Sequence, residues 1–550
     1  MEINTISPKA YKLLIDKLGF PEQHVIERTV NGVIDRYPKM LTDIDKVGEI
    51  VSDYKSANAV KGTLDACLAV DALYFTPNVR INELGEIDGI DPNTEFFVGK
   101  KEFKLFTKDP KVLEKFLTLN GDKIIRSGFV FQVQPYNLLF KPFVVHVLPS
   151  TNGKASSDVV DILHEVRKIC KCRNVNIKSF AFDGDTAYQE LHRVYYESYI
   201  RKAINERVLN LNHSSYIRVV SDFLHIIKRL RYRILSSIIH AGFASGKLAI
   251  NVDQVRKVLK DTEDVVWVNE PYTKMHDKLP LKMFSILNML KLFKELPQAF
   301  GFWFPISLSI HALSAPDVGY SIRKFLLETV FWFLVLYKEC QDKSETTLRK
   351  KKYKCDLDLT FYTDSLLMEF TNTIFCNLQL MSIENFSFDR NSTTPLEHKF
   401  GNVRVRANDI HTIQNFLRII SMMQTVDQVR ESDSKIRGRS NSFGVVVEDK
   451  ESDDESWKET YFHYMPQTFA RCVLAYSGFD VKSTGLVPND DVLGKGINFL
   501  YEIVEDEPNK RRKKRISSND VTLGINYTKA HSRIMKFPKK NKKEKSLMIS

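Results

Sequence analysis

Two aspartates stand where apolar segments of the chain reach a turn. Asp71 lies within ACLAVDALYF, and Asp183 closes NIKSFAFDGD, where Gly184 lets the chain turn sharply. Carboxylates that meet from separate strands can hold two Mg²⁺ or Mn²⁺ ions about 3.5–4 Å apart, the arrangement used in metal-dependent phosphoryl transfer. Asp185 shares the turn and competes with Asp183, but Asp183 comes first off the strand. Each aspartate taken alone also fits a helix cap or a turn former.

A third aspartate, Asp222, follows a short apolar strand and opens an amphipathic helix. That helix carries His225, Lys228 and Arg231 at a spacing of three residues. The pattern indicates a helix N-cap followed by a basic face, on which the two cations could contact phosphates. A metal-binding role for Asp222 or His225 is the alternative.

Glu397 lies at the start of another predicted helix. Thr394 fits the cap of that helix and Pro395 its first turn. Arg404 and Arg406 follow near its end and are candidate phosphate contacts. A glutamate early in a helix is ordinarily a surface acid that complements the helix dipole. Spacing alone therefore does not assign Glu397 to a metal site.

The elements that position these residues form a mixed α/β pattern. A strand near Asp71 is followed by a hairpin, a helix, a strand that stops at Asp183, and a long helix. The first strand is predicted to be a short one within residues 62–80 that ends near Asp71. The other predicted ranges are 129–133 and 143–148 for the hairpin, 157–170 for the helix, 175–182 for the next strand and 187–207 for the long helix. Residues 223–385 are predicted to be helical.

Charge is concentrated at the end of the chain. Residues 509–545 contain fourteen Lys and Arg against two acids, which equals the +12 net charge of all 550 residues, so the remainder is neutral. This basic tail predicts a nuclear signal or a DNA anchor, with a solvated tail as the alternative. Its first cluster supplies candidate DNA contacts, which are Lys510, Arg511, Arg512, Lys513, Lys514 and Arg515.

Other function classes find little support in the sequence. The longest apolar run, Phe325–Tyr337, has thirteen residues and includes Glu328, whereas a membrane span needs about 20. We therefore expect a buried helix and no membrane partner. The seven cysteines are scattered, with only Cys170 and Cys172 close together, which favours a reducing compartment over a disulfide or zinc framework.

Several segments, in consistent order over about residues 7–425, resemble the P-element and THAP-domain transposase family. LAVDALYF is similar to the family's first catalytic strand, and FAFDGD to the segment that leads to its second catalytic aspartate. Asp222 to Arg231 is similar to the family's D-x-x-H-x-x-K-x-x-R motif, and LEHKFG to its final glutamate motif. The remaining similar segments are SPKAY with LGFP near the start, FVFQVQPYNLLFKPFVVHVL, and YTKM with the KL and FS that follow it.

This resemblance implies an RNase H-like core interrupted by a large all-helical insertion. It implies that Asp71, Asp183 and Glu397 hold two Mg²⁺ or Mn²⁺ ions, cleave DNA at transposon ends and transfer the strand to target DNA. Asp222 and His225 would then be supporting residues. A homo-oligomer on paired DNA ends is also implied, while the nuclear location is predicted from the basic tail. A nucleotide cofactor stays undecided, because no G-x-x-x-x-G-K-[ST] phosphate loop is found.

The sequence departs from that family in three respects. No Cys/Cys/Cys/His set precedes Asp71, so a site-specific DNA-recognition domain is expected to be missing or supplied differently. Thr394 stands where the family often has an aspartate, and the core is not net basic. A domesticated or inactive, transposase-derived protein that binds DNA or chromatin is therefore the alternative. The predicted organisation is an N-terminal helical segment (1–60), the first part of the core (61–222), the insertion (223–390), the core completion (391–425), a disordered linker (426–460), a small segment (461–508) and the basic tail (509–550).

Overall fold

A computed structural model gives the structure of the chain. It describes residues 40–75, 80–81, 87–88, 124–151, 157–183, 186–206, 217–236, 239–240, 249–250, 252–268, 277–315, 318–350, 362–383, 386–406, 413–432, 465–479, 481 and 491–503. Contacts divide the chain into two units, residues 1–498 and 499–550. All the elements described below belong to the first unit.

A five-stranded mixed sheet forms the centre of the core. Its strands are β1 (Leu64–Tyr74), β2 (Ser127–Pro135), β3 (Phe143–Ser150), β4 (Val175–Phe182) and β5 (Arg218–Ser221). They lie in the order β3-β2-β1-β4-β5. The pairs β3–β2 and β2–β1 are antiparallel, and the pairs β1–β4 and β4–β5 are parallel. The carboxyl ends of β1, β4 and β5 therefore meet at one edge of the sheet.

The sequence pattern predicted these strands closely, except at the end of β1. The strand predicted over residues 175–182 is β4, and the predicted hairpin is β2 and β3. The first strand was predicted to end near Asp71, which is wrong, because β1 continues to Tyr74. Pairing with β2 extends past Asp71 to Tyr74 opposite Ser127, and this ladder holds the chain extended.

Helices cover the sheet. The helix α1 (Val47–Ala57) lies against β3, where the rings of Tyr54 and Phe143 stack at 3.7 Å. The predicted helix 157–170 is α2 (Ser157–Cys172), which packs on β4. The long helix predicted over 187–207 is α3 (Thr186–Tyr195), a π-helical turn (Tyr196–Ile200) and α4 (Arg201–Glu206).

A large helical insertion lies between β5 and Glu397, as predicted. Its described helices are α5 (Phe223–Ser236), α6 (Val252–Val258), α7 (Lys278–Met283), α8 (Ile286–Glu295), α9 (Pro297–Ser314), α10 (Tyr320–Lys350) and α11 (Asp364–Leu380). Nearly every residue of α9 is buried, so α9 is the central helix of this bundle. The mixed α+β fold class, with a core interrupted by helices, is confirmed.

The apolar run Phe325–Tyr337 lies within α10, and its large side chains are buried. Among the described helices, none has the length and apolar character needed to cross a membrane. Two short two-stranded pairs, Arg80–Ile81 with Ile87–Asp88 and Ile239–His240 with Ala249–Ile250, were not predicted.

The helix α11 closes the open edge of the sheet at β5. The thiol of Cys376 donates to the Val219 carbonyl over 3.3 Å, and the Ser221 amide donates to the Thr373 hydroxyl over 3.1 Å. These backbone groups belong to an edge strand, which otherwise leaves a row of unpaired donors and acceptors. Side chains of the insertion therefore complete the hydrogen bonding of the core.

The chain then returns to the core. A 3₁₀ turn (Phe388–Asn391) leads into α12 (Thr394–Arg406), and α13 (Ile413–Ser432) follows. The disordered linker predicted from residue 426 is therefore wrong over 426–432, where α13 continues, and its remainder lies outside the described residues. The last named helix, α14 (Met465–Tyr476), packs against α9 and α10 of the insertion.

Candidate active site

Asp71 lies on β1, and Asp183 directly follows the neighbouring parallel strand β4. Cys67 pairs with Ser179 and Ala69 pairs with Ala181. Continuing this register by two residues places Asp71 beside Asp183 on the same face of the sheet, where adjacent strands are about 4.8 Å apart. Both aspartates are half-buried. The fold therefore brings together two carboxylates that are 112 residues apart in the sequence.

Asp222 lies one strand further along the same edge. Its amide donates to the Phe182 carbonyl over 3.0 Å, and its side chain is 1% exposed. Oδ1 accepts a bond of 2.8 Å from the Leu224 amide, so Asp222 caps α5 as the sequence pattern predicted. The other oxygen, Oδ2, accepts bonds from Thr393 Oγ1 at 2.7 Å and from Thr394 Oγ1 at 3.3 Å.

These threonine bonds fix the start of α12, and with it the position of Glu397. The Glu397 amide donates to the Thr393 carbonyl over 3.0 Å, which closes the first turn of the helix. Glu397 Oε1 lies 3.0 Å from His225 Nε2 on α5. Asp222 and His225 thus hold α12 at two points, one at its first residues and one at Glu397.

The pKa values of Asp71 and His225 are shifted by the charges of the neighbouring acidic side chains. Burial, together with the nearby charges of Asp183 and Glu397, raises the pKa of Asp71 to about 8, while the Ala72 amide and His225 oppose this rise. For His225, burial lowers the pKa, but the hydrogen bond to Glu397 and the charge of Asp222 outweigh it and raise the pKa to about 9. Asp71, Asp183, Glu397 and His225 therefore lie close together.

The donor set suits a hard divalent cation in its chemistry, because carboxylate oxygens are the ligands that Mg²⁺ and Mn²⁺ prefer. Two aspartates side by side also carry charge that a cation would neutralise. As the side chains stand, however, no three His, Cys, Asp or Glu residues of the described part are arranged to hold one ion. Asp71 Oδ1 accepts from its neighbouring Ala72 amide at 2.7 Å, and Glu397 Oε1 faces His225. Coordination therefore requires Asp71 and Glu397 to turn away from these partners.

Two predicted DNA contacts of α5 have other partners. Arg231 is 3% exposed, and its guanidinium donates to the carbonyls of Val266 and Val268 at 2.8–3.1 Å. The prediction that Arg231 contacts DNA is therefore wrong, because its donors are used inside the insertion. Lys228 lies 2.5 Å from Asp277 and only 13% of its side chain is exposed, which leaves little of it for a phosphate.

Of the remaining predicted site residues, one is exposed and the others lie outside the part of the chain that the structure describes. Arg404 is exposed on α12. Asp185, the side chain of Arg406 and the tail cluster lie outside the described residues. The tail cluster comprises Lys510, Arg511, Arg512, Lys513, Lys514 and Arg515.

Sequence reasoning missed Thr393. The pattern assigned the cap of α12 to Thr394, whereas Thr393 precedes the helix and donates to Asp222. The two adjacent threonines before Pro395 could have indicated this contact. However, the same residue type serves as a helix cap and as a donor to a distant aspartate, so the sequence does not distinguish the two roles.

Thr393→Val is expected to loosen the attachment of α12 while preserving side-chain shape. Removing the hydroxyl takes the 2.7 Å donor from Asp222, so the position of Glu397 is less well defined. Losing such a supporting bond reduces metal affinity or activity by about 10–100-fold. Titration of the protein with Mn²⁺ by calorimetry measures this. Thr393→Ser retains the donor and serves as the control, and equal Mn²⁺ affinity in the valine and serine variants would contradict the assignment.

The sheet order, the helical insertion and the three carboxylates define a mixed α+β protein with an acidic cluster at the carboxyl edge of its parallel strands, in keeping with the RNase H-like prediction. Among solved structures, the chain is similar to the Drosophila P element transposase in its strand transfer complex. The similarity has a TM-score of 0.48 and 14% sequence identity, and it covers 78% of this chain and 91% of that one. No protein-family model and no curated protein matches the sequence.

Proposed function

We propose that this protein is a DNA-cleaving and strand-transferring enzyme of the transposase kind, with Asp71, Asp183 and Glu397 as its metal-binding residues. One observation carries the proposal: the register of β1 with β4 places Asp71 beside Asp183, and the bonds of Asp222 and His225 hold Glu397 at the same edge of the sheet, although three separate parts of the chain supply these acids. A fold gains no stability from gathering like charges, and such clusters are typical of functional sites. The transposase motifs that the sequence resembles contain these same three residues.

The chain's residues have distinct tasks in this reaction. Asp71 and Asp183 provide adjacent carboxylates from the sheet, and Glu397 provides a third from α12. His225 orients Glu397 through its Nε2 proton. Two bound Mg²⁺ or Mn²⁺ ions would supply activation of the attacking oxygen and stabilisation of the leaving oxygen.

The reaction has two displacements at phosphorus. In cleavage, the oxygen of water bonds to phosphorus, the bond to the 3′ oxygen breaks, and that oxygen leaves as a 3′-hydroxyl. In transfer, the oxygen of this hydroxyl bonds to a phosphorus of the target strand, and the target's own 3′ oxygen leaves as a hydroxyl. DNA ends, target DNA, a homo-oligomer and a nuclear location belong to the same proposal.

Nicking of a supercoiled plasmid in Mg²⁺ or Mn²⁺ tests this function. We expect nicking that a chelator stops, and a loss on the order of 10⁴-fold in the Asp183→Asn and Glu397→Gln variants, as for residues that act as a catalytic unit. Both variants should still bind plasmid DNA. Glu190→Gln is the matched control, because Glu190 is an exposed glutamate of α3 paired with Arg193. Nicking that survives in either site variant would rule out the assignment.

The second candidate is a non-catalytic DNA- or chromatin-binding protein derived from a transposase. It is favoured by the arrangement of the acidic side chains, since no three described ligands stand ready for one ion. The contact between Glu397 and His225 also agrees with this non-catalytic candidate. Plasmid binding without nicking in either metal would support this candidate.

A further inference from the structure

Glu397, Gly401 and Arg404 lie on one face of α12. Their spacings of four and three residues place them one above another along the helix. Gly401 and Arg404 are exposed, and Glu397 is half-buried at the acidic cluster. The adjoining face packs into the core through Leu396, Phe400 and Val403. We call the exposed face, from Glu397 to Arg404, the α12 strip.

Gly401 has no role in the packing of the described residues. A β-carbon built at this position meets nothing within 4 Å, and the backbone has an ordinary helical conformation. Glycine inside a helix is about 1 kcal/mol less favourable than alanine. The helix therefore loses stability at a position where neither sterics nor backbone geometry calls for glycine.

We propose that the α12 strip is a contact surface for the DNA backbone, over which one strand passes on its way to the acidic cluster. Glycine permits a ligand to approach the helix backbone closely, because no β-carbon intervenes. Arg404 lies about 10 Å from Glu397 along the helix axis, at a rise of 1.5 Å per residue. At that distance its guanidinium contacts a phosphate beyond the one at the cluster. This inference rests on the proposed function, since DNA is the ligand.

The charge of the strip agrees with this assignment. Arg404 forms no ion pair with another described residue, unlike Lys228, which is held by Asp277. Arginine is suited to phosphate because its planar guanidinium donates two parallel hydrogen bonds. The strip thus combines a close approach at Gly401 with an available cation at Arg404.

Gly401→Ala gives the sharpest test, because its two expected effects have opposite signs. The methyl group favours the helix, so the melting temperature should rise. The same methyl group should weaken binding of a short fluorescein-labelled duplex of mixed sequence by about ten-fold, because it would occupy space that the DNA backbone needs beside the helix. Fluorescence anisotropy in a chelator measures binding without cleavage. Gly494→Ala is the matched control: Gly494 is also helical with nothing within 4 Å, so its replacement should leave DNA binding unchanged.

Arg404→Gln tests the strip independently. Removing one phosphate contact should reduce the slope of log affinity against log salt concentration by about one. Unchanged binding in Gly401→Ala, or an unchanged slope in Arg404→Gln, overturns the inference. If the unaltered protein nicks plasmid but Gly401→Ala binds DNA normally, the DNA contact at the α12 strip is wrong and the proposed enzyme stands. If the unaltered protein never nicks plasmid but Gly401→Ala weakens DNA binding, the proposed enzyme is wrong and the DNA contact at the strip stands.

Discussion

Asp71→Asn is expected to abolish plasmid nicking and, at the same time, to stabilise the metal-free protein at pH 7. The loss of activity should be on the order of 10⁴-fold, because the amide has the same shape but cannot supply a charged ligand. The gain in stability follows from the pKa of Asp71, which burial and the charges of Asp183 and Glu397 raise to about 8. At pH 7 the Asp71 carboxyl therefore keeps its proton when folded and loses it on unfolding, which favours the unfolded protein, whereas an amide ionises in neither state.

The sign of the pH dependence follows from linkage. An acid with a raised folded-state pKa binds its proton more tightly when folded, so its stabilising contribution is complete below pH 4 and is lost as the pH rises to about 8. The difference in unfolding free energy between Asp71→Asn and the unaltered protein should therefore grow across this window, to at most about 4 kcal/mol at pH 7. Taking the difference cancels the opposing contribution of His225, which both proteins retain.

Urea unfolding in a chelator, measured at several pH values, checks this result. Asp161→Asn serves as the control, because Asp161 is exposed on α2 and its replacement should give no such growth. Saturating Mn²⁺ should reverse the order of stability, since the ion binds only the folded protein that retains its carboxylate. An Asp71→Asn variant that is less stable than the unaltered protein at pH 7 in chelator would show that Asp71 is a structural residue.

Arg229→Ala is expected to destabilise the whole fold by about 3–5 kcal/mol. Glu369 on α11 is completely buried, and Arg229 on α5 is its cationic partner through both terminal nitrogens. Removing Arg229 leaves an unpaired carboxylate in the interior, where ionisation is costly. Ser221 Oγ, at 3.4 Å, is too weak a donor to replace it.

The matched control is Arg193→Ala, which breaks an exposed arginine–glutamate pair with Glu190. Exposed pairs contribute about 0–1 kcal/mol, so that variant should unfold almost normally. The double variant Arg229→Met, Glu369→Leu should recover much of the loss, because it removes the buried charge along with its partner. Urea unfolding measures all three, and a loss below about 1 kcal/mol in Arg229→Ala would contradict the buried-charge account.

The sequence was sufficient for most strands of the central sheet, whereas the roles of Asp71, Asp183 and Glu397 stay predictions. Alternating and continuous apolar runs predicted β2, β3 and β4 within a few residues, because strand periodicity is local. The position of Asp71 inside β1 depends on its pairing with Val130 of β2, which lies 59 residues further along the chain. Pairing between strands so far apart is not visible in the residues around the end of β1, so the predicted end of that strand was wrong.

The polar residues of α11 show a second limit. Glu369, Asn372, Thr373 and Asn377 recur at a helical spacing that usually indicates a solvated face, yet all are buried. Their partners come from β5, α3, α5 and the segment before α12, so only the folded chain identifies this face as internal. Arg231 was misjudged for the same reason, since its carbonyl partners are 35 and 37 residues distant.

The closure of β5 by α11 affects any attempt to trim this protein. A shortened version lacking the insertion would lose Thr373 and Cys376 from the outer ladder of the sheet. The exposed strand would then offer its free amides and carbonyls to another copy, which invites aggregation by edge-to-edge pairing. The sheet therefore depends on the helical insertion to cover its outer strand, and the two parts are expected to be stable only together.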